Sequence, residues 1–143
     1  FGRAVVAGKN PYDVHDRKSL DQFFATIFHR ADAIPSTPWP ADKAYIARRT
    51  RDAAFEQQVL DSIGRGSERF LPGDEAARIA QPTLLLWCRQ DRVIDPSALA
   101  LYAARIPQAQ SVMLDDCGHM SVMERPEDIA IALQSLIERG QPR

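Results

Sequence analysis

The run Pro82-Thr83-Leu84-Leu85-Leu86-Trp87 most constrains this chain. It is short, apolar and without alternation, and such a run after a proline reads as a strand buried on both faces, the pattern of a parallel sheet. Asp95-Pro96 follows as a cap and a first helical position, and Leu99, Tyr102 and Ile106 carry the helix until Pro107 closes it. Ser111-Val112-Met113-Leu114-Asp115 reads as a second strand. Pro126 opens a last helix, with Glu127 and Asp128 in its first turn and Arg139 and Gly140 at its end, as the macrodipole and C-terminal glycine preferences require. The order is strand, helix, strand, helix. Two strands joined by a crossover helix are expected to be parallel, with a right-handed connection, so the fold class is α/β.

The first half has a different period. The first ten residues are weakly patterned, and Asn10-Pro11 marks a turn. From Asp16, an N-cap candidate, Leu20, Phe23, Phe24 and Ile27 recur at the spacing of one helical face, and this helix should end between His29 and Ala33. Ile34-Pro35-Ser36-Thr37-Pro38-Trp39-Pro40 cannot continue it, because three prolines fix φ and remove backbone donors. A second helix runs from Ala41 or Asp42 to about Ile63, with Tyr45, Phe55, Val59 and Ile63 as its apolar positions and Gly64 and Gly66 as its stop.

Length and charge bound the function. The 143 residues suit about one domain, and 45% hydrophobic with 26% charged residues is the make-up of a folded chain rather than a disordered one. A net charge of -1 with both signs interspersed gives no nucleic-acid surface, so the expected partner is small and uncharged. The longest apolar stretch, Leu84 to Cys88, is too short to span a bilayer, and no secretory leader opens the chain. Two cysteines make neither a disulfide scaffold nor a zinc pattern, which fits a reducing, cytoplasmic setting. The chain begins at Phe1 rather than at a methionine, the mark expected of a fragment.

In parallel sheets, functional groups collect in loops past the carboxyl ends of the strands. The loop Cys88-Arg89-Gln90-Asp91-Arg92 places Asp91 there, and Asp115-Asp116-Cys117-Gly118-His119 places His119 at the same end. Neighbouring strands lie about 4.8 Å apart, so the two side chains are within reach of each other. Paired, the carboxylate would fix the imidazole tautomer and stabilise the imidazolium formed when the other nitrogen accepts a nucleophile's proton. The alternative is that Asp91 caps a turn and His119 is an ordinary loop histidine.

These residues resemble the C-terminal part of the α/β-hydrolase superfamily, lipase- and esterase-like. Residues 82–96 look like its strand and acid-loop segment, and residues 116–127 like its histidine segment, with Asp91 and His119 in the family's order and 28 positions apart. The resemblance implies Asp91 as catalytic acid, His119 as catalytic base, and Cys117 as a non-catalytic residue with a packing role. It departs from the family at Cys88, where glycine is frequent. A bond between Cys88 and Cys117 is sterically open, since both end neighbouring strands. The family's nucleophile stands on a G-x-S-x-G turn, and none of the seven glycines brackets a serine here. Ser67 lacks a preceding strand, Ser121 suits a turn, Asp95 suits a cap, Asp116 is too close in sequence to reach the His119 ring, and Glu124 and Arg125 suit pairing or capping.

By the same resemblance, residues 1–72 stand where a helical cap precedes the acid-bearing strand, and residues 73–143 form the C-terminal part of the core. Cap helices in the family turn apolar faces to the active site, so Phe23, Phe24, Phe28 and Trp39, with Ile27, are candidate substrate-binding residues, against the alternative that they only pack the cap. His15 and His29 have no ligand-spaced neighbours, so no metal site is expected, and no cofactor is implied. The expectation is an ester hydrolase acting on small apolar esters, with its serine supplied from elsewhere in the full protein. An epoxide hydrolase or haloalkane dehalogenase with an aspartate nucleophile, or a non-catalytic binding domain, are the alternatives. The open strand edge is expected to pair with the protein's own N-terminal part or with a second copy.

Overall fold

A computed structural model describes residues 2–65 and 73–140. Gly66, expected as part of a helix stop, and Ser67 lie outside the described residues. The helical half comprises α1 (Gly2–Val6), α2 (Arg17–Ile27) and α3 (Ala41–Arg65). The second half runs β1 (Leu84–Cys88), α4 (Ala98–Arg105), β2 (Gln110–Leu114), α5 (Ser121–Glu124) and α6 (Pro126–Gly140).

α2 starts where the sequence says and for the expected reason. Asp16 Oδ1 accepts the Ser19 N–H at 2.7 Å, while Ser19 Oγ accepts the Asp16 N–H at 2.9 Å, a reciprocal capping box. Its apolar face is buried: Leu20, Phe23, Phe24, Ile27 and the following Phe28 form one core with Val14 and Val93. Tyr12, Tyr45, Ile46 and Met120 pack against that core. The Arg49 guanidinium lies 5.0 Å from the Phe23 ring centre and 5.9 Å from that of Tyr12, and its charge is met by Glu56 at 2.8 Å.

Four expectations need correction. Phe55, Val59 and Ile63, expected as the apolar face of α3, are 69%, 40% and 54% exposed. The weakly patterned start holds a helix, α1, whose Val5 is buried against α3. Gly64 does not stop α3 but lies within it, because a Cβ at that position would stand 2.9 Å from both Val5 Cγ1 and Val5 O. Close approach of α1 selects the glycine, and that outweighs its poor helix propensity. The run 82–87 does form a strand, yet only Cys88 of β1 is buried and Leu84 to Trp87 stay half-exposed.

β1 and β2 pair in parallel from Leu84 opposite Gln110 to Cys88 opposite Leu114, the only sheet among the described residues. Both strands therefore end at the same edge. Asp95 Oδ1 accepts the Ser97 N–H at 2.9 Å at the entry to α4, and α6 begins at Pro126 with acidic residues in its first turn. Among the described residues no helix is long and apolar enough to cross a membrane.

Candidate active site

The parallel register sets the acid loop beside the histidine loop, and several further bonds join them. Arg89 N–H donates to Leu114 O at 2.9 Å, extending the ladder past β1, and Gln90 N–H donates to Cys117 O at 3.2 Å. Cys88 and Cys117 form a disulfide with their Cα atoms 5.3 Å apart. The expected packing role of Cys117 thus gives way to a covalent one. Asp116, between β2 and Cys117, has a φ of 57°, a left-handed conformation that an aspartate adopts more readily than most residues.

Asp91 does both things that its position allowed. Oδ1 accepts the N–H groups of Val93 at 2.8 Å and Ile94 at 3.0 Å, which caps the turn, while Oδ2 lies 3.1 Å from His119 Nδ1. Burial pushes its carboxyl up, but the hydrogen bond from His119 and those from Ile94 and Val93 outweigh it and hold the group below the ordinary aspartate value. The Asp91 side chain is 6% exposed and that of His119 33%. One imidazole nitrogen is thereby engaged by a buried carboxylate. Nε2 makes no hydrogen bond to a described residue, and the side chain as a whole is part-exposed.

The other sequence candidates lie as follows. Phe23, Phe24 and Phe28 are buried in the α2 core, which reaches the acid loop through Val93 and the histidine loop through Met120. Trp39 is 77% exposed and lies apart from that core. Ser121 opens α5, and its carbonyl accepts the Arg125 N–H. Asp116 pairs at 3.5 Å with His29, which is half-buried rather than a plain surface residue. His15 is exposed and faces Asp13. Arg125 pairs with Asp128 at 2.7 Å and not with Glu124. Among the described residues no group of three His, Cys, Asp or Glu side chains is arranged to hold a metal ion.

Two neighbours of the pair escaped sequence reasoning. The Tyr12 hydroxyl is pushed up to about 12, first by burial and then by the nearby Asp91 charge, with Arg49 opposing. Glu124 is 3% exposed and accepts backbone N–H groups from His29 at 2.7 Å, Arg30 at 2.6 Å and Gly118 at 2.7 Å. A burying aromatic contact and a set of distant backbone donors leave no spacing to read.

A two-stranded parallel edge thus brings a buried carboxylate against a histidine, beside a helical layer. The chain belongs to the α/β hydrolase fold family, whose profile matches residues 13–126. Lipase 3 of Moraxella sp. (strain TA144) is 26% identical over 125 residues, 85% of this chain and 37% of that protein. Monoacylglycerol lipase ABHD6 of Bos taurus is 42% identical over 76 residues, 53% of this chain and 23% of its own length. Among solved structures, a membrane phospholipase A described as a bacterial virulence factor superposes with a TM-score of 0.79 at 26% identity, covering 99% of this chain and 44% of that one. The 2-hydroxy-6-oxo-6-phenylhexa-2,4-dienoate hydrolase of Rhodococcus sp. strain RHA1 shares the fold at a TM-score of 0.63 and 20% identity, over 94% of this chain and 47% of its own. The chain thus spans less than half the length of these relatives.

Proposed function

We propose that this chain is the cap and C-terminal part of a lipase- or esterase-like serine ester hydrolase, with residues 1–72 as the cap and residues 73–143 as part of the core. The observation that carries the reading is the 3.1 Å contact between His119 Nδ1 and the buried Asp91 carboxylate at the end of a parallel strand pair. Asp91 holds the ring in the tautomer with hydrogen on Nδ1. Nε2 takes the proton of a serine hydroxyl as it attacks the ester carbonyl, then gives it to the departing alcohol, leaving an acyl-enzyme. Water attacks that acyl group by the same route, and the acid leaves. The serine comes from residues outside these 143, where no G-x-S-x-G turn occurs.

The names of the relatives support esters over epoxides and haloalkanes as the substrate class. Phe23, Phe24 and Phe28 back the substrate site from the α2 core, which reaches the Asp91 and His119 loops through Val93 and Met120, whereas Trp39 lies apart from that core. The free edge of the β1–β2 pair takes a further strand of the full-length protein or, failing that, a second copy. No cofactor enters the chemistry. The test is hydrolysis of a short p-nitrophenyl ester by the full-length protein: His119→Ala and Asp91→Asn should abolish turnover while the fold persists. Unchanged turnover in His119→Ala would refute the assignment.

A further inference from the structure

The His119 loop is held from two sides, and only one side belongs to the strand pair. On the other side the flanking residues 118 and 120 are both fixed to the end of α2. Met120 N–H donates to Ile27 O at 3.1 Å, and Gly118 N–H donates to Glu124 Oε2 at 2.7 Å. Glu124 Oε1 meanwhile accepts from His29 and Arg30, which follow α2 directly. Gly118 is pressed so closely into this seat that a Cβ would stand 2.7 Å from His29 N and 3.2 Å from Glu124 Oε2. The acid loop rests on the same turn of α2, through Arg92 Nη1 donating to Ala25 O at 3.1 Å and through Val93 in the α2 core.

We propose that Glu124 is a positioning residue: its buried carboxylate locks the His119 loop to the end of α2 and so sets the His119 ring against Asp91. A buried carboxylate is costly unless its oxygens are bonded, and here three short bonds from backbone N–H groups meet that need. The donors come from segments 94 and 95 residues upstream and 6 residues upstream. A single side chain therefore ties the helical half to the residue next to the catalytic base. Movement of α2 reaches His119 through this tie. The proposal rests on the functional reading above for the word catalytic, and on geometry alone for the tie.

Glu124→Gln in the full-length protein separates the two ends. The amide oxygen can still serve His29 and Arg30, while the NH2 group faces the Gly118 N–H, donor against donor. We expect kcat on a short p-nitrophenyl ester to fall about 10- to 100-fold, the cost of a misplaced catalytic group, with KM within about twofold. Gly118→Ala pushes the loop from the opposite side and should lower kcat in the same way, and the double variant should lose little more than the worse single one. A folded Glu124→Gln protein with wild-type kcat would overturn the proposal, as would a change confined to KM. Should the Gln variant fail to fold, wild-type kcat in Gly118→Ala would overturn it alone. The low-field proton resonance of His119 Nδ1, absent in Asp91→Asn, reads the tie without activity. Its loss in Glu124→Gln supports the proposal, and its persistence refutes it, even if an active His119→Ala protein had already removed the functional reading.

Discussion

α2 closes its own apolar face, whereas α6 leaves much of its own open. Leu20 is fully buried and Phe23, Phe24, Ile27 and Phe28 are at most 9% exposed, on a helix of only 11 residues. α6 is longer at 15 residues, yet Ile131, Leu133 and Ile137 are 67%, 46% and 62% exposed. The difference teaches where the order of the pair of loops comes from. The chemical groups sit on the half with the open sheet, but their loops are seated on the end of α2, whose apolar face is closed.

The comparison can be broken at several points. The largest effect should be on rate: His119→Ala in the full-length protein should lower kcat/KM on a p-nitrophenyl ester by about 10³-fold or more while thermal unfolding shifts little. Phe24→Ala should do the reverse in kind and cost about 3–5 kcal/mol in denaturant unfolding, because it empties a closed core. A loss below 1 kcal/mol would mean that the α2 core is not closed. Reduction of the disulfide, or its replacement by serines, should cost about 3–4 kcal/mol by chain entropy for a separation of 29 residues. Non-reduced and reduced protein unfolding at one denaturant midpoint would show that the bond does not form.

A smaller effect is tied to pH. The Asp91 carboxyl is held below its ordinary value, so its contribution to stability is present above the unfolded value of about 3.9 and is lost as pH falls through the folded one. The stability gap between wild type and Asp91→Asn should therefore narrow on acidification below about pH 4, as urea unfolding at several pH values would reveal. The smallest effect belongs to Ile137→Ala, which should shift the stability of this chain by no more than about 0.5 kcal/mol. A loss several times larger in the full-length protein would show that residues outside this chain cover the α6 face.

Much of this was legible where a residue's own period or neighbours decide its structure. α2 announced itself by four apolar positions and Asp16, and the strands by their apolar runs. The Asp91–His119 contact was legible because both residues follow strands whose parallel pairing is forced by a crossover helix. What stayed hidden depends on close approach between distant segments. Gly64 resembles a helix stop until Val5 is seen against it. Glu124 resembles a surface cap, since its partners are main-chain donors, which every residue but proline carries. The Cys88–Cys117 bond was open from the strand ends but not decided by them, since a disulfide needs a geometry that spacing does not give.

That bond has a consequence for wear. The cross-link turns the acid loop, α4, β2 and the approach to His119 into a covalent ring. A protease that nicks the exposed turn at Pro107 and Gln108, after α4, would open the ring without releasing a piece. Asp91 and His119 would remain on one molecule after such a cut, and only a reductant would part them.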